Sequence, residues 1–303
     1  MLKLANADID GFFWPGGEEY CVSLTYDDGT QSHLDTVAPM LQKHALNASF
    51  YPIFGHLFFQ QLDRWRQMAC AGHEIGHHMI THAVRKYSQE GKLLRFKDWV
   101  NERYKLELYS LRKWKYEMWL GSGILGLTTN RKQRTFTFPA NERYFNTPGG
   151  IIYLEDDVRK KFAGVRAFES TEPITSRHLN FGALPHIGGN ANPTDSIIEK
   201  MEGYQRKHLR PWYILNFHDF SDEPTGLSTS AAEHERLLAY LAENRSRVAV
   251  MPVADAVMHL ITGSREDVAE TTAVGPKRRL GERVYGDLLE RYLREPELPS
   301  DPQ

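Results

Sequence analysis

Short runs of apolar and β-branched residues alternate along the chain with longer stretches whose apolar positions recur at helical spacing. The first pattern is typical of buried strands and the second of amphipathic helices. Strands are predicted at 21–25, 47–53, 134–138, 164–168, 212–217 and 248–252, with a further short strand in the histidine-rich stretch after Gly72. Helices are predicted after Ser32, a typical N-cap residue, and at 62–70, 154–162, 194–208, 229–243 and 254–262.

The order of these elements predicts the fold class. Strand and helix alternate about seven times, which favours an α/β protein with a parallel sheet covered by helices. Seven units over roughly 240 residues fit a closed or nearly closed barrel better than two small sheets. Two segments interrupt the alternation: a long helical region over 93–120, ended by a Gly-Ser-Gly sequence, and a loop over 170–193 that contains several prolines and glycines.

Composition divides the chain into three parts. Residues 1–19 form a mixed lead-in, and residues 20–262 carry the alternating elements of a single domain. Residues 263–303 form a charged, proline-containing tail with one amphipathic helix predicted at 280–293.

The bulk chemistry excludes several classes of protein. The chain of 303 residues is 41% hydrophobic and 25% charged, with a net charge of -2 that gives no reason to expect nucleic acid as a partner. Its two cysteines cannot form a disulfide framework. Neither a signal-peptide pattern nor an apolar run of bilayer length is evident, so a cytoplasmic location is expected.

A pair of carboxylates ends the first predicted strand. The sequence Thr-Tyr-Asp-Asp-Gly occupies 25–29, and Gly29 permits a turn directly after Asp27 and Asp28. Two acids at the carboxyl end of a strand can divide the work of proton transfer and metal binding. The same Asp-Asp-Gly sequence is also common in ordinary turns, so the pair alone decides nothing.

A histidine-rich stretch reads His-Glu-Ile-Gly-His-His-Met-Ile-Thr-His over 73–82. It contains two overlapping patterns of metal ligands. His73-Glu74-x-x-His77 is the zinc metalloprotease pattern, which requires a helix. It follows the helix-ending Gly72 here, and the extended form of that pattern is missing. His78-x-x-x-His82 is a pair of ligands that needs a carboxylate from elsewhere.

Together the two motifs resemble the polysaccharide deacetylase family, also described as the NodB-homology domain or carbohydrate esterase family 4. The family has Thr-Phe-Asp-Asp-Gly where this chain has Tyr26 for Phe, and His-Ser/Thr-x-x-His where this chain has Met79. A later strand that ends Leu-x-His resembles 214–218, and the resemblance covers roughly 20–262. It implies a distorted (β/α)7 barrel related to the TIM barrel.

The resemblance also implies a role for each site residue. Asp28, His78 and His82 would bind one divalent metal ion, most simply Zn²⁺. Asp27 would be the general base, and His218 would protonate the leaving amine. The backbone N–H of Ala140, after the proline of the third motif, would stabilise the oxyanion. The substrate would be an N-acetylated amino sugar in a polysaccharide or oligosaccharide.

The third motif departs from the family pattern, which places an arginine before the proline to steady the catalytic aspartate. Thr137 occupies that position here, and Arg166 is the candidate substitute. The family segment that forms a wall of the sugar groove has no match in the loop over 170–193. Aromatic residues outside the predicted elements are candidates for sugar stacking: Phe12, Phe13, Trp14 and Tyr144.

Other readings of the sequence remain open. The same site could act on another amide or ester, as a deformylase or cyclic-amide hydrolase does, or on a lipid-linked sugar. Family members of the allantoinase type lack the metal ligands, which this chain keeps. A binding module on a decayed barrel would have lost the base or the ligands, and the zinc metalloprotease pattern is the remote alternative.

Overall fold

The computed structural model describes residues 7–8, 11–88, 91–94, 97, 100–147, 150–190, 193–205, 210–224 and 226–262. The helix predicted at 280–293 therefore lies outside the described residues. No helix in the described part of the chain is both long enough and apolar enough to cross a bilayer.

The strands are listed here in chain order: β1 Ala7–Asp8, β2 Gly11–Phe12, β3 Tyr20–Asp28, β4 Ser49–Pro52, β5 Glu74–Ile75, β6 Thr135–Thr137, β7 Tyr144–Thr147, β8 Gly150–Tyr153, β9 Gly164–Glu169, β10 Leu184–Gly188, β11 Trp212–Phe217, β12 Asp219–Ser221, β13 Ser228–Ser230 and β14 Val248–Val250. The α-helices follow in the same order: α1 Ala38–Lys43, α2 His56–Gln60, α3 Leu62–Cys70, α4 Leu111–Thr128, α5 Glu155–Arg159, α6 Thr194–Gln205, α7 Ala231–Glu243 and α8 Val253–Thr262.

Seven of these strands form a parallel barrel in the order β5-β4-β3-β11-β10-β9-β6. His77 closes the ring between its two end strands. Its N–H donates to the carbonyl of Thr135 at 3.0 Å, and its own carbonyl accepts from the N–H of Thr137 at 2.9 Å. β14 pairs with the first half of β3, below β4, which distorts the ring. The predicted distorted (β/α)7 barrel is confirmed.

β3 shows why the sequence forms this architecture. All but the last of its residues are buried, because one face packs against helices and the other against the barrel interior. Tyr20, Val22, Leu24 and Tyr26 belong to the outer core between sheet and helices. The alternate residues, which end at Asp27, face the interior.

The barrel interior changes from apolar to polar along its axis. Near the beginnings of the strands, Cys21, Leu184 and Trp212 join a second apolar core that also contains Phe12 and Trp14. Near the carboxyl ends, the interior is lined by buried polar side chains. These are Asp27, Thr137, Arg166, His186 and Asn216. The apolar layer therefore supports a polar floor at one end of the barrel.

The structure corrects several predictions from the sequence. The region 93–120 is not one helix: two short 3-10 turns precede α4, which starts at Leu111 and continues through the Gly-Ser-Gly sequence. The loop over 170–193 contains the barrel strand β10. Ser32 makes no side-chain cap, and its hydroxyl donates instead to Asp219 at 2.6 Å.

The lead-in aromatics also differ from expectation. Phe12 and Trp14 are buried in the inner core, so they cannot stack on a sugar. Phe13 is exposed, and the ring of Tyr144 lies under the guanidinium of Arg85 at 4.5 Å.

Candidate active site

The carboxyl ends of the barrel strands bring the predicted site residues to one face. Asp27 and Asp28 end β3, and His78 and His82 follow β5. Arg166 lies on β9, and His218 directly follows β11. Because parallel strands of a barrel point their carboxyl ends the same way, residues far apart in sequence meet here.

Asp28, His78 and His82 form a compact donor set. One candidate ligand atom from each residue lies within 4.8 Å of the others. Asp28 Oδ1 is 3.3 Å from His78 Nε2 and 3.4 Å from His82 Nε2. Within the described residues, this buried oxygen makes no hydrogen bond of good geometry. Three potential ligand atoms therefore converge on one point.

The hydrogen bonds of His78 show that this set fits a cation. A carbonyl can only accept, so His78 Nδ1 must donate its proton to the carbonyl of Thr137 at 3.1 Å. In the neutral ring Nε2 then carries a lone pair that faces Asp28. Two imidazoles and a carboxylate are a typical donor set for catalytic zinc, and a backbone carbonyl is a typical outer partner of a ligating histidine.

The ionisation of the donor set follows from burial and charge. Burial acts to raise the pKa of Asp28, but the adjacent His78 and His82 hold it below its ordinary value. Burial acts to lower the pKa of His78, but the carboxylates of Asp27 and Asp28 raise it above its ordinary value. Burial lowers the pKa of His82 to about 4, so that this ring is neutral at neutral pH. Asp28 is therefore a carboxylate when the protein is at neutral pH.

Two buried side chains donate hydrogen bonds to Asp27. Arg166 Nη2 donates to Asp27 Oδ2, and Asn216 Nδ2 donates to the same oxygen at 3.2 Å. The guanidinium is itself oriented by Thr137 Oγ1, which lies 3.0 Å from Nε, and by Thr25 Oγ1, 3.2 Å from Nη1. Within the described residues, Asp27 Oδ1 is buried and has no hydrogen-bond partner.

The charge of Arg166 dominates the protonation state of Asp27. Burial acts to raise the pKa of this carboxyl group, but Arg166, together with His78 and His218, lowers it from 3.8 to about 2. Thr137 stands where the family pattern has arginine, and the structure shows that it is a hydrogen-bond partner of Arg166. The guanidinium therefore reaches Asp27 from the neighbouring strand.

His218 completes the arrangement opposite the donor set. Its Nε2 lies 3.9 Å from Asp27 Oδ2, and its side chain remains 23% exposed, so the ring borders solvent. Asn190, after β10, contacts both the ring and the backbone of His218. His33 contacts the carbonyl of His218 from the other side.

Ala140 lies after β6 in a short turn that starts at Pro139. Its φ of 44° is in the left-handed region, where a side chain is strained. Asp28, Met79, His82 and Asn141 share this property, with φ values of 73°, 64°, 51° and 61°. Left-handed residues other than glycine therefore concentrate around this site, as is common where function fixes the backbone.

The alternative metalloprotease pattern is not assembled. Glu74 lies on a strand and is fully buried, and its carboxylate binds Ser49 Oγ at 2.6 Å and the N–H of Thr135 at 2.8 Å. The ring of His77 packs among phenylalanines, including Phe54 and Phe136. These residues stabilise the barrel and do not form a second metal site.

Sequence reasoning missed Asn190, Asn216 and His33. Asn216 could have been found, because it lies near the carboxyl end of the predicted strand 212–217, two residues before His218, where side chains two apart point the same way. Asn190 has no such signal, since the sequence predicts a loop where the preceding strand β10 lies.

Comparison with known proteins agrees with this site. A family model for polysaccharide deacetylases matches residues 16–114, which include the Asp pair and both candidate histidine ligands. Over this segment the chain is similar to the polysaccharide deacetylases, a family of hydrolases that act on amide carbon–nitrogen bonds. A gellan lyase of Bacillus sp is 30% identical over 77 residues, which are 25% of this chain and 3% of that protein. The chain thus spans a small part of the length of that relative.

Several solved structures are similar to this chain at low sequence identity. The Bc1960 peptidoglycan N-acetylglucosamine deacetylase is 14% identical with a TM-score of 0.49, over 84% of this chain and 92% of that one. The catalytic domain of a peptidoglycan N-acetylglucosamine deacetylase from Eubacterium rectale is 15% identical with a TM-score of 0.47, over 87% and 96%. The polysaccharide deacetylase Bc1974 from Bacillus cereus is 18% identical with a TM-score of 0.44, over 78% and 93%. The similarity to polysaccharide deacetylases rests on the matched segment, residues 16–114.

Proposed function

We propose that the protein is a metal-dependent deacetylase that hydrolyses the N-acetyl groups of an amino sugar in an oligosaccharide or polysaccharide. The observation that carries the proposal is that two groups of side chains lie together at the carboxyl ends of the barrel strands. One is the donor set of Asp28, His78 and His82. The other is the buried pair of Asp27 and Arg166.

The donor set would hold one divalent cation, for which Zn²⁺ is the simplest candidate. When bound, such an ion polarises the amide carbonyl and lowers the pKa of a coordinated water. His78 is oriented for ligation by its hydrogen bond to Thr137. The convergence of three potential ligand atoms within 4.8 Å of one another supports this assignment.

Asp27 is proposed as the base that accepts the proton of the attacking water. Arg166 and Asn216 occupy its Oδ2, which leaves Oδ1 to accept that proton. The pKa of about 2 means that Asp27 is ionised throughout the neutral range. The backbone N–H of Ala140 is proposed to donate to the oxyanion that forms from the carbonyl.

The test is acetate release from short N-acetylglucosamine oligomers by the protein as purified, after chelation, and after zinc is restored. We expect release that chelation abolishes and zinc restores. The variant Asp27→Asn should lose at least about 100-fold of this activity, because proton transfer by a positioned base contributes that much or more. Asp63→Asn is the matched control, since the side chain of Asp63 is 89% exposed.

Each other outcome removes part of the proposal. Release that survives complete chelation would exclude the role of the metal. Absence of release from a protein that holds one tightly bound metal would exclude this substrate class and retain the site. Absence of both would exclude Asp28, His78 and His82 as ligands.

A further inference from the structure

The side chain of Asn190 binds His218 at two points. Its Oδ1 accepts from the backbone N–H of His218 at 3.1 Å, and its Nδ2 lies 2.9 Å from the ring atom Nδ1. Asn190 reaches this position because the end of β10 is fixed beside β11. The N–H of Gly189 donates to the carbonyl of Asn216 at 2.7 Å.

The orientation of the Asn190 amide is determined by its backbone partners. The N–H of His218 can only donate, so it must face Oδ1. The carbonyl of Leu227 can only accept, so it must face Nδ2, which contacts it. Exchange of the two amide atoms would place donor against donor and acceptor against acceptor. The amide therefore has one favourable orientation.

This orientation determines which nitrogen of His218 carries the proton. Because Nδ2 donates, Nδ1 of the ring must be the acceptor and has no proton. The neutral ring then carries its proton on Nε2, the atom 3.9 Å from Asp27 Oδ2. A second proton, on Nδ1, would face the N–H of Asn190.

The backbone of His218 is held equally firmly on its other side. The ring of His33 is fully buried, and its Nε2 contacts the carbonyl of His218. Since that carbonyl can only accept, Nε2 of His33 must be the donor. The next residue, Asp219, accepts from Ser32 at 2.6 Å. The ring of His218 is thus held by its backbone as well as by Asn190.

We propose, on the basis of the proposed function, that Asn190 is a positioning residue that holds His218 as a neutral ring with its proton on Nε2. His218 then stabilises the reacting amide by a hydrogen bond from Nε2 and is not the acid that protonates the leaving amine. This revises the role that the family resemblance implied for His218.

The proton balance of the hydrolysis is complete without an acid at His218. Water loses a proton to Asp27 as its oxygen bonds to the carbonyl carbon. The carbon–nitrogen bond then breaks, and the nitrogen takes the proton from Asp27. The products are the carboxylic acid and the free amine, and His218 keeps its own proton throughout.

The test is ¹⁵N NMR of the zinc-loaded protein with labelled histidine. The chain has 13 histidines, and His218→Gln identifies the signals of His218 by their loss. We expect a protonated Nε2 and an unprotonated Nδ1. In Asn190→Asp the carboxylate can only accept, so we expect the proton to appear on Nδ1. In the matched control Asn180→Asp, whose residue lies in an exposed turn, the pattern should remain unchanged.

Kinetics provide the second readout. In the unmodified protein we expect kcat/KM for acetate release to stay level toward alkaline pH. In Asn190→Asp, where the carboxylate favours a doubly protonated ring, we expect a decline on the alkaline side. A proton on Nδ1 in the unmodified protein would overturn the proposal, as would an alkaline decline that His218→Gln removes. The NMR result does not depend on a substrate, so failure of the proposed function remains distinguishable.

Discussion

Arg166 and Asp27 form a pair that solvent hardly reaches, with side-chain exposures of 1% and 6%. An isolated buried charge is costly, so each group depends on the other for its ionised state. The guanidinium is also fixed by Thr25 and Thr137, and it therefore holds the carboxylate of Asp27, the proposed base, in one orientation. Arg166 therefore affects Asp27 both through its positive charge and through the orientation that it imposes on the carboxylate.

Replacement of Arg166 by methionine is expected to affect both stability and proton transfer. Loss of one partner of a buried pair costs about 3–5 kcal/mol of the free energy of unfolding. The pKa of Asp27 should rise, because the guanidinium no longer opposes the effect of burial. The acidic limb of the pH profile should therefore shift to higher pH. Denaturant unfolding and a pH profile of kcat/KM measure the two effects.

Arg131→Met is the matched control for this change. Arg131 donates to Asp255 at 2.6 Å in another buried ion pair that contains none of the site residues. The Arg131→Met variant should lose a similar amount of stability and keep the pH profile of kcat/KM unchanged. Arg166→Lys keeps the charge and is expected to retain more stability than the methionine variant. An unchanged profile in both Arg166 variants would exclude the support role.

Helix α4 connects the outer layer to the loop that carries the two proposed histidine ligands. Glu117 on this helix is fully buried, and it accepts from Thr81 Oγ1 at 2.7 Å. Tyr109 donates to the same carboxylate oxygen at 3.1 Å. Thr81 lies between His78 and His82, so this carboxylate links the helix to the loop that carries both proposed ligands.

Glu117→Gln is expected to weaken metal binding by about 10-fold, the lower end of the 10- to 100-fold loss for direct partners of a ligand, because Glu117 acts through Thr81. Zinc affinity measured by competition with a chelator tests this without a substrate. Glu107→Gln is the control, because Glu107 binds the backbone N–H groups of Lys86 and Tyr87 beyond the ligands. Equal affinity in the two variants would show that Glu117 supports the fold alone.

The elements that sequence reasoning placed correctly are those with simple patterns. The strand Trp212–Phe217 and the helix Leu62–Cys70 have the predicted bounds. The bounds of helix α4 differ from the prediction because its Gly-Ser-Gly sequence predicts a helix end, whereas the helix continues through it. Gly121 is required by packing: a Cβ there would lie 2.3 Å from His77 Nε2. Such a contact between distant residues leaves no local signal.

Strand β10 was missed for a similar reason. It contains Pro185 and ends at Gly188, two residues that usually mark loops. The register shifts between Leu184 and Pro185, and a bulge of this kind is where a strand tolerates proline. Since Asn190 follows this strand, its part in the site could not be predicted either. The proposed metal ligands and Asp27 were predictable because their motifs are local.

At the scale of the whole molecule, the barrel buries an unusual set of neutral histidines. Burial lowers the pKa of His33 and His73 to about 4 and that of His77 and His234 to about 3. In the unfolded chain each ring titrates near 6.5. Folding therefore requires these rings to stay uncharged.

We expect the free energy of unfolding to be fully retained above about pH 6.5 and to decrease as the pH falls toward 4. Between these limits the unfolded state binds more protons, so stability falls by about 1.4 kcal/mol per pH unit for each coupled ring. His234→Gln, which can still accept from Tyr26, should reduce this slope by about one proton. Denaturant unfolding across that pH range measures it.

The exposed His178 supplies the control for this dependence, since His178→Gln should leave the slope unchanged. A stability that stays level from pH 7 to pH 4 would contradict the buried neutral state of these rings.

The left-handed backbone around the active site has a consequence for laboratory evolution. A side chain at such a position costs about 1–2 kcal/mol, a cost that glycine avoids. Selection of this protein for heat resistance alone is therefore expected to enrich glycine at Asp28, His82 and Ala140. Glycine at the first two positions removes two of the proposed ligands. Selection for heat resistance alone would therefore yield a more stable protein that no longer binds the metal.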